Sequence, residues 1–163
     1  MRRSRSFSTR TGLRAARSIS VWARSTDRAE AFAADLRSRG IVALAAHDLE
    51  AATREADIVT CATLANAPLI HGKWLGAGSH LDLIGGFTPS MREADDDCFA
   101  GVALYVDTEE ALQKSGDLLE PMKRGVFGAS DVRGTLAVLA RGEAAGRRSR
   151  EERTVCRPTR APA

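Results

Sequence analysis

Cysteine is scarce in this chain of 163 residues: Cys61, Cys98 and Cys156 make an odd count with no close pair. That excludes a disulfide framework and fits a reducing, cytoplasmic setting. The three histidines, His47, His71 and His80, show no ligand spacing with the cysteines, so no metal site is expected. No apolar run approaches the ~20 residues that a membrane-spanning helix needs, and no membrane partner is expected. Acids are absent from residues 1–24, which hold seven arginines, and only three accompany the seven arginines of residues 141–163. The stretch 25–140 carries 10 basic and 18 acidic residues, a net of −8, so the formal net charge of +3 conceals an acidic middle between basic ends. Nucleic-acid binding needs basic residues on an ordered face with base-reading partners, and the two ends do not supply that set. Glycine is missing where a dinucleotide fold needs it. Residues 1–18 contain only Gly12 and no apolar strand, so neither a first strand nor a Gly-x-Gly-x-x-Gly phosphate loop is present there.

What is present centres on residues 77–95. Leu81 to Ile84 is a short apolar run with one acid, Asp82, bounded by glycines, the pattern of a buried strand in a parallel sheet. Gly85-Gly86 frees the backbone for a turn and for close approach of a ligand. Thr88-Pro89 ends the turn. Ser90 is predicted to cap a helix with Glu93 in its first turn. Open α/β sheets bind ligands at the carboxyl ends of such strands, although a plain strand-to-helix connection would read the same way.

Along the rest of the chain, strands are predicted at 19–23, 41–45, 58–62 and 102–106. Helices are predicted from a Ser25 or Thr26 cap to Gly40, from an Asp48 cap over 49–56, over 109–115, and from Asp131 through Leu136 and Leu139. Residues 116–121 read as a turn with a short apolar segment closed by Pro121. The fold class that follows is α/β: a partial Rossmann-type domain, mostly parallel sheet with flanking helices, lacking the first strand and the glycine loop. The expected organisation is a disordered basic leader over 1–17, a partial dinucleotide-binding domain over 18–142 and a disordered basic tail over 143–163. The leader's composition also describes a transit peptide.

One position speaks to cofactor choice. At the tip of a dinucleotide fold's second strand an acid accepts the 2′-hydroxyl of NAD, whereas an arginine suits the 2′-phosphate of NADP. The first strand here ends in Ala23-Arg24-Ser25-Thr26, with no acid. If it is a second strand, NADP(H) is favoured over NAD(H). An exposed arginine before a helix is the plainer alternative.

Four blocks, in order, resemble the ornithine cyclodeaminase and mu-crystallin family. They are Val21–Ser25 with Ala29–Ala33; Ala56–Thr63 with Pro68-Leu69 and Gly72–Leu75; Gly78–Pro89 with Arg92-Glu93; and Tyr105–Thr108 with Ser115–Leu118. The resemblance implies a Rossmann domain set against a separate substrate domain, in a homodimer using NAD(H) or NADP(H) on a small cyclic imino acid or amino acid. By matching position, Arg24 and Ser25 would hold the adenosine phosphate. Thr63 and Leu64 would border the nicotinamide half, and Leu83, Ile84 and Gly85 would line its pocket. The family's activities include cyclising deamination of ornithine to proline and NAD(P)H-dependent reduction of cyclic imines such as pyrroline-2-carboxylate.

Departures from the family pattern shape the expectation. The substrate-binding half, with its Arg and Lys, has no counterpart, and Cys156-Arg157-Pro158 replaces an expected Phe-Lys-Ser. The reading is a fragment of a truncated or frameshifted gene product, its catalytic residues unassigned. In ornithine cyclodeaminases an Asp follows the paired glycines and is thought to act on the amine. Here Phe87 stands in that place, which favours a ketimine reductase parent over a cyclodeaminase. A non-catalytic binding or assembly module is the remaining alternative.

Overall fold

The computed structural model describes residues 16–158. The expected leader therefore lies, apart from residues 16 and 17, outside the described residues. Instead of one domain over 18–142, the chain forms two compact units, one running to Ala52 and one starting at Thr53.

The first unit is a βαβ element. Strand β1 (Ile19–Val21) pairs in parallel with β2 (Ala43–Ala45), and helix α1 (Thr26–Ser38) joins them. Ser25 caps α1: its Oγ accepts from the Arg28 amide at 3.4 Å, and Asp27 sits in the first turn against the helix dipole. Ala29 and Ala33 are the residues α1 buries fully, and their small size admits close packing. Phe32 is 55% exposed. Gly40 adopts φ +79 just past the helix end, where a side chain would be strained. Helix α2 (Leu49–Glu55) follows, with Asp48 Oδ1 accepting from the Ala51 amide.

The second unit is a five-stranded, all-parallel sheet. Its strands are β3 (Ile58–Cys61), β4 (His80–Leu83), β5 (Ala103–Val106), β6 (Val132–Thr135) and β7 (Thr154–Arg157). Their spatial order is β3-β4-β7-β5-β6. Helices α3 (Ala111–Lys114) and α4 (Gly116–Lys123) follow β5, and α5 (Leu136–Ala140) follows β6. Registered neighbours share a face, so Leu81, Leu83, Val155, Leu104 and Val106 point one way into a core with Ile70, Cys98 and Leu118.

Four sequence expectations change. The supposed disordered tail supplies β7, the central strand of this sheet. Thr-Val-Cys-Arg is too short and too polar to announce a strand, and its arginine is buried only because Ser115, Asp117 and the carbonyls of Leu83 and Gly86 meet it. No helix follows Ser90; residues 90–95 form turns and a single bridge, Ile70 to Ala94. The helix expected from Asp131 begins only at Leu136, because Val132–Thr135 pairs with β5 as an edge strand. Residues 116–121, expected as a turn with a short apolar segment, belong to helix α4, with Pro121 inside it.

Candidate active site

The carboxyl ends of β3 and β4 lie side by side. Cys61 and Leu83 are registered partners, and the last ladder bond runs from the Ile84 amide to the Cys61 carbonyl at 2.7 Å. Beyond that point Thr63 and Gly85 have no sheet partners. A buried carboxylate takes over. Glu93, fully buried, accepts from the Thr63 amide (2.6 Å) and hydroxyl (2.7 Å) on Oε1, and from the Gly85 amide (2.7 Å) on Oε2. All three partners are donors, and these are short charge-assisted bonds.

A second layer holds Glu93. Asp117, also fully buried, accepts on Oδ1 from the amides of Glu93 (2.7 Å) and Ala94 (3.2 Å). Its Oδ2 has no hydrogen-bond partner among the described residues and lies 3.9 Å from Arg157 Nε. Burial, opposed by those two amide bonds, pushes the Asp117 carboxyl up to about 6. The Arg157 guanidinium donates to Ser115 Oγ (2.8 Å) and to the carbonyls of Leu83 (2.8 Å), Gly86 and Pro158. Burial holds its pKa below the ordinary value, with Asp117 the leading opposing influence. Two acids and one base thus sit beneath the strand ends, each tied to backbone. Burying charge this deeply is tolerable only with such partners.

The paired glycines are there for proximity. Neither takes a positive φ. A Cβ on Gly85 would overlap the Thr63 backbone, and one on Gly86 would overlap the Asp117 carboxylate. The close approach expected of a ligand is made by the protein itself.

The expected site residues fall as follows. Thr63 and Gly85 are brought together by Glu93. Leu64 (60% exposed) and Ile84 (37% exposed) present apolar surface beside them. Leu83 does not line a pocket with its side chain: it is fully buried in the core, and its carbonyl is what it offers, to Arg157. Arg24 and Ser25 are exposed in the first unit, directly before α1. Arg24 has no ion pair among the described residues, and the Ser25 hydroxyl, though it accepts from Arg28, keeps its own proton to donate. Because the Thr63 and Gly85 amides are already spent on Glu93, they cannot cradle a phosphate. The surface that Leu64 and Ile84 leave beside them is apolar.

Sequence reasoning assigned no role to Asp117 or Ser115, read Glu93 as a helix-end acid and placed Arg157 in a disordered tail. The available signal was an acid set within small or apolar neighbours, Glu93-Ala94 and Asp117-Leu118-Leu119. Nothing local marks Arg157. On the other face of the sheet a shallow cavity of about 350 Å³ is bordered by His80, Asp82, Tyr105, Arg147 and Thr154, away from the strand ends.

The sequence pattern of the ornithine cyclodeaminase/mu-crystallin family matches residues 7–159, nearly the whole chain. The chain belongs to this family. It is 43% identical over 138 residues to the delta(1)-pyrroline-2-carboxylate reductase of Paracoccus denitrificans, covering 84% of this chain and 44% of that protein. It is 36% identical over 102 residues to rat ketimine reductase mu-crystallin, covering 62% of this chain and 32% of that one. Among solved structures, the delta(1)-pyrroline-2-carboxylate reductase of Thermococcus litoralis, in complex with NADH and L-proline, superposes with a TM-score of 0.83. It shares 29% identity and covers 86% of this chain and 44% of that one. The chain therefore spans less than half the length of these family members, and its α/β fold is that of their Rossmann-like, NAD-binding part.

Proposed function

We propose that this chain carries the nicotinamide-binding portion of an NAD(P)H-dependent reductase of cyclic imino acids, the pyrroline-2-carboxylate class. The observation that carries the reading is the strand-end site: Glu93 fixes Thr63 and Gly85, and apolar Leu64 and Ile84 flank them. Membership of a family with reductase relatives supports the substrate class. The residues fit the cofactor's nicotinamide end, with Leu64 and Ile84 as the contact surface and the Thr63 and Gly85 amides already engaged by Glu93. When bound, that cofactor supplies a hydride. Phe87 follows the paired glycines and has no group that can take up a proton or carry a charge, so acid–base chemistry on an amine at that position is disfavoured.

Two finer points belong to the same proposal. Arg24, with Ser25, is the contact for an adenosine 2′-phosphate, which makes NADP(H) the preferred cofactor. Assembly as a homodimer follows the family pattern. The experiment is a pair of assays on the 163-residue chain, NADPH oxidation with pyrroline-2-carboxylate and release of proline and ammonia from ornithine in the presence of NAD, alongside titration with both reduced cofactors. Binding of NADPH, with ornithine inert, is the expected outcome. Ornithine turnover overturns the reductase assignment, and absence of any dinucleotide binding at millimolar concentration overturns the cofactor reading.

A further inference from the structure

We propose that Glu93 is a positioning residue for the nicotinamide end of the site, its carboxylate joining the loops that leave β3 and β4 so that Leu64 and Ile84 are held at fixed separation. The inference rests on the cofactor reading above and adds a residue to it. The β3–β4 ladder ends at the bond between Ile84 and Cys61. Past that point two parallel strands have no backbone reason to stay in register, and the next donors, the amides of Thr63 and Gly85, would otherwise turn to water. Glu93 engages both, one on each carboxylate oxygen, and takes the Thr63 hydroxyl as well. No other described side chain hydrogen-bonds to both the Thr63 and the Gly85 amides. Asp117 secures the Glu93 backbone, and Arg157 secures the Leu83 and Gly86 carbonyls on the β4 side. The residues free to meet a ligand, Leu64 and Ile84, each lie next to an amide that Glu93 fixes, so this carboxylate adds to the Ile84–Cys61 backbone bond in setting their spacing.

The test uses Glu93→Gln. The amide side chain keeps one acceptor oxygen for Thr63 but sets a donor against the Gly85 amide, so it releases one loop only. In nitrogen–proton correlation spectra of the full chain, the Gly85 amide should move upfield and exchange faster with solvent, while the Thr63 amide stays protected. Titration then compares NADH with ADP-ribose, which lacks the nicotinamide. Loss of one charge-assisted bond at this end should weaken NADH about tenfold and leave ADP-ribose unchanged. Equal weakening of both ligands means a general structural role and overturns the inference, as does unchanged NADH affinity with the Gly85 amide released. A wild-type chain that binds neither ligand sinks the cofactor reading and the nicotinamide part of this proposal with it. The amide spectra still decide on their own whether Glu93 joins the two loops. Should Glu93→Gln fail to fold, the wild-type carboxyl carbon resonance of Glu93 carries the test. NADH should shift it together with the Thr63 and Gly85 amides, ADP-ribose should not, and a resonance unmoved by bound NADH overturns the assignment.

Discussion

Arg24 and Asp117 are the residues whose charges have the most measurable consequences. Arg24 is exposed and directly precedes α1. If it meets a 2′-phosphate, Arg24→Ala should lower NADPH affinity roughly ten- to a hundredfold and leave NADH nearly unchanged. Fluorescence titration with both cofactors checks this, and equal loss for both would make Arg24 a plain surface charge. Asp117 acts on stability. Its folded pKa is raised by burial to about 6, so its protonated form is the one folding favours. The contribution is fully present below the unfolded value of 3.8, falls as pH rises through the window from there to about 6, and is absent above it. Asp117→Asn retains the acceptor for the Glu93 and Ala94 amides and removes the titration. The stability of wild type relative to this variant should therefore drop by on the order of 3 kcal/mol between pH 4 and pH 7 and then level off. Thermal melts across that range read it directly, and a flat difference would show that the carboxyl does not titrate there. The acids at 93 and 117 were visible in the sequence but not their burial, because an acid is buried only by partners that come from elsewhere in the chain.

Among the elements, the loop after β4 is the least tolerant of change. Gly85→Ala places a methyl against the Thr63 backbone, which is not the flexible end of a side chain and cannot give way. The cost should be about 1–3 kcal/mol or more, visible as a lower urea midpoint at unchanged slope. A midpoint within error of wild type would show that the two loops are looser than drawn. The paired glycines were legible as a special turn, but the sequence could not say whether ligand or protein fills the space their missing side chains leave. The elements themselves divide along similar lines. Helix α1 could be read because its Ser25 cap, its spacing and its terminating glycine are all local. Strand β6 could not, since Val-Arg-Gly-Thr becomes a strand only by pairing with β5, and its neighbour Leu136–Ala140 has helical spacing that spreads upstream.

At the scale of the whole molecule, the acidic middle and basic ends suggest a folded centre with loose extremities, and the sheet order contradicts that picture at the carboxyl end. Strand β7 lies between β4 and β5 with parallel partners on both sides. Ending the chain after Arg153 should remove the centre of the sheet, expose Leu81, Leu83 and Leu104, and leave Glu93 and Asp117 without Arg157. The full chain serves as the comparison. Near-ultraviolet circular dichroism and denaturant melts of the two forms decide the matter: a cooperative transition in the shorter chain would show that β7 is dispensable.

By itself the sequence determined the α/β class, the parallel pairing of short apolar strands, the capped helices of the first unit and the family. Those properties reside in local spacing and in ordered blocks of residues. Only the tertiary structure decided that Leu83 is core rather than pocket wall, that Glu93 ties Thr63 to Gly85, and that the arginine-rich end supplies a central strand. Each of these depends on partners distant in sequence: 30 residues from Glu93 to Thr63, 74 from Arg157 to Leu83. Residue type and period carry no information at that range. Burial of a charged group becomes favourable only once the fold has assembled its donors and acceptors around it.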